Sequence, residues 1–371
     1  MNQPKQHVVI IAGESSGDLH GAHLMHYIKQ QNPRVVFSGL GGIKMEQEGF
    51  QSLVPITKLA IMGFWEVLKN IVFFINLERL VLKHIKNKQP NKIILIDYPG
   101  FNLRLAQKIK KISKTKIIYY ISPQLWAWKE ERVKIIKKHV DSLIVLFPFE
   151  VSWYKKHQIH ANYFGHPLIE QHLPLKIKKI KENHKVSIAL CPGSRIQEIQ
   201  KHLPILIDTA IQYIKSNPQA SFKVVCAPNI EPQLLRSYIK ADSISIETRP
   251  ILTSFQKTDF AIVASGTAAL ECAVTLTPMI VVYKMSLLSW WVTKGLVKAP
   301  FASIVNILAA QEISLELLQT KFTTANLLNV LNNKLTNYTE LVEEQTNILE
   351  TIKPLAKKNT YQNTARYIEN Y

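Results

Sequence analysis

Two polar turns constrain this chain more than any other feature: Pro-Gly-Ser-Arg at 192–195 and Ser-Gly-Thr-Ala-Ala-Leu-Glu at 265–271. Each follows an apolar, strand-like run and precedes a helix-like one. Strand, turn, helix is how α/β proteins present free N–H groups and the positive end of a helix dipole to an anion. In the second turn a carboxylate, Glu271, follows one turn into the helix. Amides for phosphates and a carboxylate for ribose hydroxyls suit a nucleoside diphosphate.

The same rhythm runs through the chain. Strands are expected at 7–12, 35–39, 92–96, 116–121 and 142–147, and helices at 18–31, 64–87, 102–112 and 130–139. Such alternation implies a parallel sheet covered on both faces. Ligands of such sheets bind beyond the carboxyl ends of the strands. The turns Gly13–Gly17, Asp97–Phe101 and Ser122–Trp128 fall there and are expected to line one crevice wall. A lysine-rich stretch, 168–185, reads as a linker. A second alternation follows, with strands at 186–191, 222–226, 244–247, 260–263 and 279–283 and helices near 197–216, 231–240 and 268–275. At 371 residues the chain exceeds one ordinary core. The expected division is a first domain at 1–167, a second at 168–350 that carries both polar turns, and a C-terminal helix over 351–371 with the option of packing back on the first domain.

The net charge of +19 favours phosphate-bearing partners: nucleic acid, anionic lipid or phosphorylated metabolites. Solvated lysine faces are the alternative. Nucleic acid is disfavoured because the aromatics cluster in apolar segments instead of interleaving with lysines. Cys191, Cys226 and Cys272 lie far apart with no CxxC, which argues against a zinc site or redox pair and for a reducing, cytoplasmic setting. The first strand starts just after Lys5 and is too short for a secretory core. Six aspartates occur with no D-x-D pair, so no metal and no cofactor is expected. His20, His23 and His26 read as a surface or crevice stripe.

The strings AGESSGD (12–18), LAIMGFWEVL (59–68), IDYPGFN (96–102), ISPQLWAWKEER (121–132), FPFE (147–150), FGHPL (164–168), LCPGSR (190–195), ASGTAALE (264–271) and NILA (306–309) resemble the lipid-A-disaccharide synthase family, in family order. The resemblance implies an α/β GT-B fold, two doubly wound Rossmann-like domains facing across a cleft. It implies transfer of 2,3-diacylglucosamine from its UDP derivative to the 6-hydroxyl of 2,3-diacylglucosamine 1-phosphate, with inversion and without metal. The alternative is another GT-B enzyme of UDP-sugars, a peptidoglycan glucosaminyltransferase or an epimerase; SPQLWAWK and AGESSGD speak against it. Oligomeric state stays open.

Asp97 is the expected general base, emerging at the carboxyl end of an apolar strand; a helix N-cap is its alternative role. The resemblance makes Glu14 and Asp18 acceptor-side contacts or alternate bases, with Ser15, Ser16 and Gly17 beside them, although Asp18 by itself reads as a helix cap. Arg195 is expected to grip the pyrophosphate bidentately; an ion pair with Glu198 is the alternative. Ser194, Ser265, Gly266 and Thr267 are expected donors, Glu271 the ribose acceptor, and Asn306 a further donor-site contact. His166 is expected at the domain junction, lining the cleft or holding the hinge. Two departures from the family pattern stand out: Gly100 where an aspartate is usual, and Val305 where a proline is usual.

Both substrates carry acyl chains, so the enzyme is expected on the anionic cytoplasmic face of the inner membrane. Across 61–86 one apolar arc is interrupted only by Glu78, with more apolar surface outside it, including Trp65 and Phe73. Phe64, Trp65 and Phe73, with Trp290 and Trp291 beside Lys294 and Lys298, are the expected membrane contacts; burial inside the protein is the alternative. No run approaches the ~20 nearly uncharged residues of a membrane span.

Overall fold

A computed structural model describes residues 6–55, 71–178, 186–239, 241–286, 290 and 299–371. Phe64, Trp65 and Trp291 lie outside the described residues. The chain divides into two compact units, Met1–Glu170 with Lys357–Tyr371, and Gln171–Ala356.

The first unit is built on a parallel sheet of β1 (His7–Ala12), β2 (Val36–Leu40), β3 (Gln51–Ser52), β4 (Lys92–Ile96), β5 (Lys116–Tyr120), β6 (Ser142–Val145) and β7 (Ala161–Tyr163). The spatial order is β3-β2-β1-β4-β5-β6-β7. Strands such as KIILI are apolar at successive positions because both faces are covered. Val9, Ile11, Ile93, Leu95, Ile117 and Tyr119 face one core, shared with the helices Ile71–Lys88 and Pro99–Ile112. Val8, Ile10, Ile94, Ile96, Ile118 and Tyr120 face the other, with the helices Ser15–Gln31 and Thr360–Asn370. The last helix is anchored by Lys92, whose buried ammonium donates to the carbonyls of Ile368 (2.7 Å) and Glu369 (2.6 Å).

The helix Ile71–Lys88 corrects part of the expected arc. Phe74, Leu77, Val81 and Ile85 point inward, and so does Glu78, which pairs with Arg104 (3.5 Å) and Lys108 on the neighbouring helix. A carboxylate tolerates that burial because two cations meet it. Phe73, expected at the membrane, is half-buried edge-on against Phe74 and packs on the core. Val72, Ile75 and Leu80 are the exposed apolar residues, at 66%, 40% and 40%. Among the described residues no helix is long and apolar enough to cross a membrane.

The second unit repeats the scheme with β8 (Ser187–Cys191), β9 (Ser221–Val225), β10 (Ile244–Glu247), β11 (Phe260–Ala264), β12 (Met279–Tyr283) and β13 (Glu316–Leu318), in the order β10-β9-β8-β11-β12-β13. The helix Ile196–Ser216 runs through Pro204 without ending. Its buried row, Ile199, Leu203, Leu206, Ile207 and Ala210, shows that packing on the sheet outweighs one lost backbone hydrogen bond.

Candidate active site

Strand order locates a candidate site in each unit. In the second unit successive strands run outward from β8 toward β10, and the chain then returns to β11 beside β8. A crevice opens at such a reversal, beyond the carboxyl ends of the two strands. The turn 192–195 leaves β8 and the turn 265–267 leaves β11, so adjacency of these strands brings together two motifs some seventy residues apart in the chain. They line a pocket of about 280 Å³ that includes Ser194, Arg195, Ser265, Gly266, Thr267 and Glu271.

Gly266 has φ +150, a backbone region almost confined to glycine, and open space where a Cβ would stand. It starts the helix Thr267–Val274. The N–H groups of Gly266 and Thr267 have no partner among the described residues, as expected of first-turn donors. Ser265 is a correction. Its N–H donates to Val282 (3.0 Å) and its hydroxyl to Ala302 (2.7 Å), so the sheet and a neighbouring loop consume both donors. Glu271 is half-buried, with no hydrogen-bond partner for its carboxylate among the described residues; burial pushes its pKa up to about 7.

Arg195 is exposed and forms the ion pair weighed as its alternative, 3.0 Å from Glu198. The Glu198 carboxylate also accepts from the N–H groups of Ser194 (3.1 Å) and Arg195 (3.3 Å) and from Tyr283 (3.4 Å). An internal anion thus occupies the first turn. Asn306 is a second correction. It is fully buried, donates to Ser314 O (2.7 Å) and Glu316 Oε1 (2.8 Å), and accepts from the N–H groups of Ile313 and Ser314 (both 3.0 Å). With both ends engaged, it shapes the loop instead of meeting a ligand. Val305 uses the N–H that a proline would lack, donating to Ser303 Oγ at 3.2 Å. Trp290, expected at the membrane, lines a separate apolar pocket in this unit.

The first unit has its own reversal, between β1 and β4. The Gly13–Gly17 turn leaves β1 and Asp97 leaves β4. Gly13 lies so close to the Tyr98 ring that a Cβ would fall 2.4 Å from it. Asp97 and Tyr98 both take left-handed backbone, φ +44 and +51, an uncommon conformation for side-chain-bearing residues. Two residues without an assigned role in the sequence hold that bend. Asn102 Nδ2 and the Tyr119 hydroxyl both donate to the Asp97 carbonyl, at 2.8 and 2.6 Å. The usable signal was Asn102, within the IDYPGFN string. Tyr119 is a buried strand residue with no local mark. The half-buried Asp97 carboxyl is pushed up to about 6, by burial first and by the neighbouring Glu14 charge second.

Glu14, Ser15 and Ser16 are exposed at the start of the helix Ser15–Gln31, and Gly17 is buried beneath them. Asp18 is a third correction. Its buried carboxylate accepts from the N–H groups of Gly42 (2.8 Å), Lys44 (3.1 Å) and Met45 (3.0 Å), so it caps the next helix and is committed to that structural role. Glu150 organises the loop after β5, accepting from Ser122 (2.8 Å) and Trp126 (3.3 Å); burial pushes it up to about 7. Gly100 has open space at its Cβ position, so no steric demand explains the glycine. His20 and His23, read as part of a surface or crevice stripe, are half-buried against the last helix: Tyr361 hydrogen-bonds the first (2.8 Å) and stacks on the second (4.7 Å). His166 is buried against Phe147, and burial lowers its pKa to about 3. No group of three or more His, Cys, Asp or Glu is poised for a metal among the described residues.

A pair of parallel α/β units with a phosphate-type turn at one strand reversal fits the GT-B fold, and solved structures show that fold. The chain is similar to a UDP-N-acetylglucosamine 2-epimerase described as putative, from Listeria monocytogenes (TM-score 0.62, 10% identity, 99% of this chain and 96% of that one). It is also similar to MurG of Acinetobacter baumannii (TM-score 0.58, 12% identity, 99% and 100%). The lipid-A-disaccharide synthetase family profile matches residues 8–370. Lipid-A-disaccharide synthase 1 of Legionella pneumophila (strain Paris) is 37% identical over 84% of this chain and 83% of that protein. The lipid-A-disaccharide synthase of Coxiella burnetii (strain CbuG_Q212) is 33% identical over 98% of each. The chain belongs to the lipid-A-disaccharide synthase family. It is a glycosyltransferase of lipid A biosynthesis.

Proposed function

We propose that the chain transfers 2,3-diacylglucosamine from UDP to the 6-hydroxyl of 2,3-diacylglucosamine 1-phosphate, with inversion and without a metal ion. The observation that carries this reading is the convergence of Arg195, Gly266, Thr267 and Glu271 on one pocket. Arg195 leaves Glu198 for the pyrophosphate, the Gly266 and Thr267 amides donate to phosphate oxygens, and Glu271 accepts from ribose hydroxyls. Asp97 takes the proton of the attacking hydroxyl as its oxygen bonds the anomeric carbon. The bond to UDP breaks on the opposite face, and the departing negative charge meets the guanidinium and the amides. The exposed Val72, Ile75 and Leu80, with Arg79 and Lys83 on the same helix, support docking on the anionic cytoplasmic face of the inner membrane. Incubation with both lipids in anionic vesicles, with EDTA present, should yield the β-1,6 disaccharide phosphate plus UDP, with protein in the vesicle pellet. Activity that requires an added divalent cation would remove the metal-free mechanism, and protein left in the supernatant the membrane docking.

The base assignment has a pH signature. A carboxylate base works when deprotonated, so kcat/KM should rise with pH through an apparent pKa near 6. Glu14 contributes part of that elevation, so Glu14→Gln should move the acidic limb to lower pH. A pH–rate profile checks this, and an unmoved limb would dissociate Glu14 from the base.

A further inference from the structure

Beside the nucleotide pocket the second unit holds another of about 420 Å³, within the size range of ligand sites. Met285, Trp290, Phe301 and Leu318 form its apolar wall, with Tyr283 and Gln319 at the polar side. The two pockets share Ser265. The hydrogen bond from Ser265 Oγ to Ala302 O (2.7 Å) fixes the partition between them. Tyr283 gives a second link, since it lines the apolar pocket while its hydroxyl donates to Glu198 in the phosphate turn (3.4 Å). The wall is braced where β13 ends. Gln319 takes left-handed φ +52, and its side-chain oxygen accepts from Met285 N–H (3.3 Å), pinning the end of β13 to the chain leaving β12.

We propose that this pocket receives an acyl chain of the nucleotide-sugar donor. The inference rests on the proposed function above, because it takes the neighbouring pocket as the seat of UDP. A donor anchored there by its pyrophosphate carries its sugar, and so its acyl groups, past Ser265. An apolar recess at that distance suits a hydrocarbon chain. It offers the sugar hydroxyls few partners, because Ser265 and Gln319 have side-chain groups engaged already. The pocket therefore sets preference for long-chain over short-chain donors, each buried methylene being worth about fourfold.

The test compares UDP-glucosamine donors bearing tetradecanoyl and butanoyl chains and reads the ratio of their kcat/KM values. In Leu318→Trp, which fills the recess, the ratio should fall by about tenfold or more. Phe301→Asn, which makes the wall polar, should move it the same way, so the outcome does not hang on one variant folding. A ratio within about twofold of the native enzyme's in both variants would overturn the proposal, including the case in which both donors lose equally because the recess holds the sugar ring. Calorimetry with UDP on the native chain separates the two readings. UDP binding with an unmoved ratio removes only the acyl assignment, whereas absence of UDP binding removes the nucleotide pocket and this inference with it.

Discussion

Asp97→Ala is expected to lower kcat by about 10²–10⁴-fold, the usual worth of a positioned general base. UDP affinity should be unaffected, because the nucleotide pocket is built from the other unit of the chain. Stability should fall little, since removing a half-buried carboxyl whose pKa is raised by burial and by Glu14 relieves desolvation and repulsion. The hydrogen bonds from Asn102 and Tyr119 go to the Asp97 backbone carbonyl and survive the substitution. Steady-state assays paired with UDP titration read both quantities. Turnover within a few-fold of native would transfer the base role to Glu14, since Asp18 is committed to three backbone donors.

The second large effect concerns a residue whose role the structure changed. Asn306→Ala removes four hydrogen bonds in a buried site and leaves the Ser314 carbonyl, one Glu316 oxygen and two backbone N–H groups without that partner. Stranded buried polar groups cost about 1–3 kcal/mol each, and Glu316 keeps its bonds from Ala302 and Ser303 N–H (both 2.8 Å). A net loss of about 3–5 kcal/mol is expected, lowering the melting temperature by about 10 °C. A direct ligand contact would instead weaken UDP binding and leave melting unchanged. Thermal unfolding with and without UDP distinguishes the two.

Asn306 shows where reading the chain before it is folded stops. The long strands are legible because runs such as VVIIA and KIILI are apolar at successive positions, which a sheet covered on both faces demands. The turns at 192–195 and 265–271 are legible for a related reason: glycine between a strand and a helix carries a local conformational requirement, met at Gly193 (φ +118) and Gly266. The strands β3, β7 and β13 are only two or three residues long and leave no period to read. Asp18, Ser265 and Asn306 fit the motifs by residue type, yet their partners come from other elements. Asp18 caps a helix that begins at Ile43, and Ser265 bonds a loop at Ala302. Glu78 reads as a break in an apolar arc until Arg104 and Lys108 arrive from the next helix. Side-chain roles set by tertiary neighbours are invisible to a pattern along one element.

The central claim is that the two turns of the second unit grip UDP, with Glu271 on the ribose. Calorimetric titration of UDP in EDTA, on the native protein and on Glu271→Gln, tests it most directly. The expected result is metal-independent binding to the native chain and about tenfold or greater loss in the variant, the worth of hydrogen bonds to a charged acceptor. Equal affinity in the two proteins, or no binding without a divalent cation, would contradict it.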